Sequence, residues 1–486
     1  MNTLVNAIRT NDKTTENGMT TNSTTLSMCV DLFSRVGAMR TQTSQEVINL
    51  FVKAFDEDAL TAMKILFWAR DVRGGAGERK VSRDIFKYLA ENRATVLAKN
   101  LHLIPEFGRW DDTMVLFGTP LEDAATEMIV TALRDDTKSS LVAKWMPRPN
   151  VKDATKKRVV KALRDKLNLS PKEYRKMLVE LTNVVETAMC SGDWSSIEYG
   201  KIPSKAMSDY MKTFGKHDTE RFVAYLNSVE KGEAKINASA VYPYNVINSL
   251  RQGNTQGANA QWNSLPNYLE GNAERLLPVV DVSGSMTCPA SGKGTVTCLD
   301  VALSLGLYIS ERNEGAFKDA FITFSSDPEL QYLKGTLSER YNQLSRSEWK
   351  MSTNVEAVFK LILNKAKANK VPQEQMPTMI TIFSDMQFNA ATRSGWNSSV
   401  PEWNRTAQSM IETMYASAGY KMPKLVYWNL NARNGDSPVQ FDKQGTALVS
   451  GFSPALLKAL LAGTTMTPES MMYDVIGADR YDVVTV

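Results

Sequence analysis

Asp281, Ser283 and Ser285 lie in the run Asp281-Val-Ser-Gly-Ser285, which puts one carboxylate and two hydroxyls side by side. Two further oxygen donors, Thr353 and Asp385, stand farther along the chain. An all-oxygen set suits a hard cation, since magnesium takes six oxygens in a tight octahedron and keeps some of them as water. Ser283, Ser285 and Thr353 would bind through their hydroxyls, and Asp281 and Asp385 directly or through coordinated waters. Mg2+ is the expected ion, with Mn2+ or Ca2+ as alternatives. With mostly neutral direct ligands the ion keeps much of its charge, so a carboxylate or phosphate from a partner can complete its shell. The plain alternative is a strand-end turn that binds no metal.

Other chemistry has weaker support. There are only two histidines, His102 and His217, and each also reads as a surface or packing residue. The four cysteines, Cys29, Cys190, Cys288 and Cys298, form no C-x-x-C pair and are too few and scattered for a disulfide framework, which points to a reducing compartment. Gly74-Gly-Ala-Gly77 is flanked by Arg70, Arg73, Arg79 and Lys80. Such a turn can cradle a phosphate, but it lacks P-loop spacing, and a helix end followed by a tight turn is the plainer account. Gly292-Lys-Gly-Thr295 fails the same spacing. In Phe107-Gly-Arg-Trp-Asp-Asp112 the adjacent carboxylates could do acid–base work, or Arg109 makes an ion pair while the aspartates cap a helix.

Basic residues cluster between Lys144 and Lys176. They include Lys144, Arg148, Lys152, Lys156, Lys157, Arg158, Lys161 and Arg164, with only Asp153, Asp165 and Glu173 opposing them. Together with Arg73, Arg79 and Lys80 they are the candidate nucleic-acid contacts, because such a stretch can track phosphates. The competing account is a solvated helix surface. Trp145 and Tyr174 could stack bases or sit in the core.

The elements that must position these groups change in character near residue 270. Before it, amphipathic helical patterns dominate. Thr43 and Glu46 have capping-box form ahead of Val47, Leu50, Phe51 and Ala54, and a second helix is expected over Asp58–Arg70. Ser170-Pro171 opens a helix carrying Tyr174, Met177, Leu178, Leu181, Val184 and Val185. After residue 270, apolar strands alternate with helices. Strands are expected at Leu276–Asp281, Ala320–Phe324, Glu329–Leu333, Thr378–Phe383, Leu425–Trp428 and Ala447–Val449. Helices are expected at Thr297–Asn313, near Ser338, and at Thr353–Ala368, Trp403–Ala418 and Pro454–Leu461, the last closing the chain. Unbroken apolar strands predict a mostly parallel sheet covered on both faces. Such sheets bind ligands at the carboxyl ends of their strands, where Asp281 and Asp385 fall. The expected division is a polar, partly flexible start (1–40), a helical domain (41–250), a linker rich in Asn, Gln and Gly (251–273) and an α/β domain (274–486). A chain of 486 residues calls for more than one core.

The series Asp281, Ser283, Ser285, Thr353, Asp385 resembles the metal-ion-dependent adhesion site of von Willebrand factor A domains, with Asn354 where many members have an acidic residue. A second resemblance covers nearly the whole chain. Arg70–Arg79, Ile104–Asp112, Lys144-Trp-Met-Pro147, Val185-Glu186 with Trp194 and Pro203-Ser204, Phe383–Phe388, Tyr427–Leu430 and Val449–Phe452 resemble the TROVE-containing Ro autoantigen family. They resemble more closely the uncharacterised domain-of-unknown-function 2828 family. The resemblance implies an all-α helical-repeat module (TROVE- or HEAT-like, in Ro proteins curved into a ring) joined to a doubly wound α/β von Willebrand A domain. It also implies binding of structured RNAs and single-stranded RNA 3′ ends.

The expected function is therefore a non-enzymatic RNA-binding scaffold, monomeric and cytoplasmic, whose magnesium site docks an acidic or phosphate group. A protein-interaction scaffold, in which a partner's Asp or Glu completes the metal shell, is the competitor. A metal-dependent phosphoester hydrolase ranks third, because no second metal cluster or general base accompanies the site. A net charge of +4 gives no strong global pull toward nucleic acid or membrane, so any basic surface must be local. No apolar run reaches the roughly 20 residues of a membrane helix, and the polar first residues lack the apolar stretch of a signal peptide.

Overall fold

The computed structural model describes residues 13–290, 296–324, 328–345, 353–389, 392–394, 399–401, 406–463 and 466–486. The chain forms two compact units, each discontinuous in sequence. One joins Met1–Gln42 to Val241–Gly477, and the other joins Thr43–Ala240 to Ala478–Val486.

The first unit is built on a six-stranded sheet. Its strands are β1 (Leu276–Asp281), β2 (Ala320–Phe324), β3 (Glu329–Tyr332), β4 (Met379–Ser384), β5 (Lys424–Asn429) and β6 (Thr446–Ser450), in the order β6-β5-β4-β1-β2-β3. Every pairing is parallel except β2 with the edge strand β3. β1, β4 and β6 are buried along their whole length, as apolar β-branched runs covered on both faces should be. Leu277, Val279, Ile380, Ile382, Leu425 and Tyr427 point into one core with Val358 and Phe359 of the helix Val355–Ala368 and Ile411 and Tyr415 of the helix Ala407–Ala418. On the other face Gly306, in the helix Cys298–Arg312, meets Val280 and Phe321. Pro278 sits inside β1 although proline cannot donate to a ladder. β1 pairs with β4 from Leu276, but its pairing with β2 begins only at Val279.

Strand order reverses between β1 and β4. From β1 the chain winds outward through β2 and β3, then starts again at β4 on the other side. This is the switch point of an open doubly wound sheet, where the loops at the carboxyl ends diverge and leave a crevice. Asp281 ends β1 and Asp385 follows β4 directly.

Several boundaries differ from those read off the sequence: residues 241–250, expected in the helical domain, belong to the sheet unit, and residues 478–486, expected in the α/β domain, belong to the helical unit. Residues 13–42 belong to the sheet unit. Their polarity is matched by partners: Thr15 Oγ1 donates to Phe388 O (2.7 Å), Thr21 Oγ1 donates to Ser437 O (2.9 Å), and Met19 enters the core. The helix Met28–Val36 packs on β6, with Ser450 Oγ bound to Phe33 O. Within 251–273, Thr255–Asn263 is a helix that buries Trp262, whose Nε1 donates to Glu311 (2.7 Å). The α/β part does not close at Leu456–Ala462: Thr467 caps a further helix, Pro468–Ile476.

The second unit is helical. Capping boxes at Thr43 and Ser170 start the helices Ser44–Glu57 and Pro171–Leu181 as expected. The latter ends at Leu181, so Val184 and Val185 do not share its face; Val185 opens a new helix after Asn183 pairs with Ser140. Ala59–Arg70 is buried on nearly every side. In the glycine turn after it, the amides of Ala76, Gly77 and Glu78 donate to Trp68 O, Asp71 O and Ala69 O. Those three donors are engaged within the turn, as in a helix end followed by a tight turn. Gly75 is required there, since a Cβ would lie 1.9 Å from Trp68 O. The segment Ala478–Val486 completes this unit. Arg480 binds Asp71 through Nε (2.5 Å) and Nη2 (2.9 Å), Tyr481 stacks on Phe107, and Thr485 N bonds Asn100.

Asp112 is the polar centre of the helical unit. It is fully buried and receives Arg70 Nε at 2.7 Å, Arg83 Nε at 2.6 Å and the Arg109 amide at 2.8 Å. Gly108 lets the chain pass, as a Cβ would lie 2.4 Å from Asp112 Oδ2. Arg109 pairs with Asp111 at 2.6 Å, so the two carboxylates serve ion pairs and a helix cap. Asp112→Ala, which strands a buried Arg70, is expected to cost about 3–5 kcal/mol in chemical denaturation. Asp111→Ala, at a wetter pair, should cost under about 1 kcal/mol. Similar small losses for both would refute the assignment.

Candidate metal centre

The cluster at the switch point is built from backbone first. Asp281 is held from both sides: the Ser283 amide donates to Oδ1 (2.9 Å) and the Ser384 hydroxyl to Oδ2 (2.6 Å). Ser384 Oγ in turn accepts the Met386 amide (3.0 Å). Ser283 and Ser285 bring their hydroxyls to 3.0 Å of each other. Asp385 Oδ1 accepts the Gln387 amide (3.2 Å), whereas Asp385 Oδ2 is buried without a partner. Met386 takes a left-handed conformation at φ 65°, which is costly for a residue with a Cβ; the strain sits beside the two carboxylates.

Electrostatics follow from this packing. Burial, then the neighbouring Asp385, pushes the Asp281 carboxyl up, against the donors from Ser384 and Ser283. Burial also pushes Asp385 up, opposed by the Ser285 hydroxyl, the Gln387 amide and the positive charge of Arg433. Two carboxylates thus face each other with too few donors. Among the described residues, no three His, Cys, Asp or Glu side chains converge, so a cation here would have to take hydroxyl oxygens into its shell. The donor set is all oxygen, and Ser285 is only half-buried.

Of the five residues chosen from sequence, Asp281, Ser283, Ser285 and Asp385 form this cluster. Thr353 is buried beside it, tied to the loop after Asp385: Asn17 Nδ2 reaches both Thr353 Oγ1 (3.3 Å) and Gln387 O (2.6 Å), and Thr353 O accepts the Asn389 amide. Asn354 caps the helix Val355–Ala368 by accepting the Ala357 amide. Sequence reasoning missed Ser384, Gln387 and Asn17. Gln387 Nε2 donates to Asp436 (3.0 Å) and its Oε1 accepts the Glu16 amide (2.8 Å), bracing the loop. Ser384, in a strand-end Ser-Asp pair, was the one of these with a local signal. Gly292–Thr295 lies outside the described residues.

The candidate phosphate contacts divide. Lys144 pairs with Glu186 (2.8 Å), Arg158 with Glu122 (2.5 Å) and Lys80 with Asp84 (2.9 Å). Arg148, Arg164 and Arg73 bind the carbonyls of Ala143, Leu169 and Glu106. Lys152, Lys156, Lys157 and Lys161 stand exposed, the last three on the helix Ala154–Leu167. Arg79 is held below the usual arginine range by burial and by Arg109 and Arg83. Lys156, Arg83, Lys87 and Trp145 line an open groove of about 470 Å³, where Arg109 lies 3.9 Å over the Trp145 ring. Tyr174 is buried. His102 is exposed, and His217 stacks on Trp194, so neither joins the carboxylates.

A family model described as a domain of unknown function, DUF2828, matches residues 15–124 and 139–274. A second, described as a domain of unknown function, DUF7788, matches residues 276–481. An uncharacterized protein of Acanthamoeba polyphaga mimivirus is 28% identical over 95% of this chain and 86% of its own length.

The raised carboxyls carry a prediction for the chain in chelator. A carboxyl raised in the folded state holds a proton that the unfolded chain releases, so stability falls as pH climbs from the ordinary aspartate value of 3.8 through the raised one. Asp385→Asn removes one of the facing charges. It should flatten the loss and stabilise the chain by about 1 kcal/mol or more at the alkaline end. Urea unfolding in EDTA over roughly pH 5 to 8 measures it, and parallel curves for the two chains would overturn it.

Proposed function

We propose that this chain, which belongs to the family described as domain of unknown function DUF2828, is a non-catalytic binding scaffold. In this reading Asp281, Ser283, Ser285, Thr353 and Asp385 hold a divalent cation, Mg2+ first, that docks an acidic group of a partner. One observation carries it: the buried, unpartnered Asp385 Oδ2 beside a second buried carboxylate and two converging hydroxyls, at the strand-end crevice of the sheet. Uncompensated buried carboxylates are costly, and a cation supplies the missing charge. When bound it would act as a Lewis acid toward a carboxylate or phosphate oxygen. The chain's own residues set its position, with Ser384 and the Ser283 amide aiming Asp281 and Gln387 and Asn17 fixing the Asp385 and Thr353 loops.

RNA is the partner we favour. The exposed lysines of the helix Ala154–Leu167, next to a groove holding Trp145 under Arg109, offer phosphate contacts and a ring for stacking. The sequence resemblance to the TROVE module and von Willebrand A domain of Ro proteins points the same way. One observation favours a protein partner instead: Lys144, Arg158 and Lys166 of the basic run are already paired with Glu186, Glu122 and Glu127.

Calorimetric titration with Mg2+ should show a single site in the wild type and at least tenfold weaker binding in Asp281→Ala and Asp385→Ala. Binding to a structured RNA with a single-stranded 3′ tail should weaken steeply with salt. Changing Lys156, Lys157 and Lys161 to Gln should lower affinity and reduce the salt slope by about 1 for each phosphate that is no longer neutralised. Absence of Mg2+ binding removes the cation reading. Intact Mg2+ binding with no RNA binding at about 100 mM salt transfers the proposal to an acidic protein partner.

A further inference from the structure

The four cysteines are dispersed in sequence, yet two of them meet. Cys288 and Cys298 lie opposite one another at the base of a short antiparallel hairpin. Ala290 N–H donates to Val296 O (2.9 Å), Pro289 bridges Thr297, and Cys298 N–H donates to Cys288 O (3.0 Å). This register sets them opposite one another, joined by one backbone bond while the Cys288 N–H turns back to Ser285 O (3.2 Å); directly opposed residues of an antiparallel pair have Cα atoms about 4.5–5.5 Å apart. That spacing falls inside the range of about 4.4–6.8 Å that a disulfide bridges. Both are free thiols, with sulfurs 3.6 Å apart.

Their surroundings assign them different tasks. Cys288 is half-buried and its sulfur accepts Asn431 Nδ2 (3.1 Å). Cys298, the first residue of the helix Cys298–Arg312, is buried with its sulfur 3.5 Å from Leu430 O. A reagent in solution reaches Cys288 first, and Cys298 waits directly behind it.

We propose that Cys288 and Cys298 form a dithiol oxidation site that closes reversibly into an intramolecular disulfide when the chain meets a hydroperoxide. The Cys288 sulfur attacks a peroxide oxygen. The O–O bond breaks, the thiol proton leaves with the departing oxygen as water (an alcohol from an organic hydroperoxide), and Cys288 becomes a sulfenic acid. The Cys298 sulfur then attacks the Cys288 sulfur, the S–O bond breaks, and the hydroxyl leaves as water with the Cys298 proton. Two thiols are oxidised and one peroxide is reduced. The sulfurs must approach by about 1.5 Å to reach bonding distance, a side-chain rotation with the backbone register already in place. The link ties the loop running on from Ser285 to the start of the following helix. It does not depend on whether a cation is bound.

The test treats the full-length reduced protein with hydrogen peroxide, counts remaining thiols by gel shift with a polyethylene-glycol maleimide, and maps peptides by mass spectrometry. The thiol count should fall from the four of the sequence to half, with a Cys288–Cys298 cross-linked peptide within one chain, and dithiothreitol should restore it. Cys298→Ser should trap a sulfenic acid on Cys288 that dimedone captures, and Cys288→Ser should keep its remaining thiols. If all thiols survive, or if the loss falls on the exposed Cys190 or on links between chains, the proposal is wrong. The wild-type peptide map decides this even where a serine variant folds poorly.

Discussion

Two carboxylates withdrawn from water, each raising the cost of charging the other, impose the constraint around which the sheet unit is arranged. A buried charge must be given donors or neutralised, and the nearby chain acts as a source of donors. Ser384 directs its hydroxyl to Asp281, Ser283 its amide, and Gln387 its amide to Asp385. The donors stop one oxygen short, at Asp385 Oδ2. A fold in search of stability alone would have placed an asparagine or a threonine there. Keeping the acid means accepting a deficit that a proton relieves in the chain alone and that a cation would relieve in the proposed function.

The deficit is tolerated because the backbone around it is over-determined. β1 and β4 are central, parallel and buried, so their ends cannot drift. The loop after β4 is clamped by residues far away in sequence. Asn17 bonds Gln387 O, Glu16 and Asp436 bond the Gln387 amide group, and Thr15 bonds Phe388 O. Met386 can therefore be held left-handed. The helical unit solves the matching problem differently: Asp112 is given two arginines and needs nothing further.

Much of this was legible in the sequence. All the strands but the polar edge strand β3 announced themselves as largely apolar runs, and Asp281, Ser283 and Ser285 as a compact local motif. Asp385 followed from its place after an apolar strand. What could not be read was pairing at a distance. Residues 13–22 look like a solvated polar tail because nothing local shows that their hydroxyls and amides meet carbonyls beyond residue 380. Thr255–Asn263 looks like a linker by composition, and only the burial of Trp262 makes it part of a core. Cys288 and Cys298 look unrelated until a hairpin brings them into register. The charge run from Lys144 was plain to see. That Glu122, Glu127 and Glu186 answer several of its members depends on helix packing that periodicity does not encode.

The return of Ala478–Val486 to the helical unit has a consequence for how the protein is made. Asp71, buried at the end of the helix Ala59–Arg70, takes Arg480 as its ionic partner across 409 residues of sequence. At ribosomal speeds of roughly 5–20 residues per second, the two are translated about 20–80 s apart. Throughout that interval the nascent helical unit carries an acid whose counter-charge does not yet exist, while Val241–Gly477, the larger part of the sheet unit, emerges between them. Synthesis of this chain is therefore not a simple succession of finished domains. The helical unit waits, incomplete, for a segment translated after the sheet strands, and a nascent chain stalled before Arg480 would hold a helical unit that is nearly whole and missing its ionic fastening.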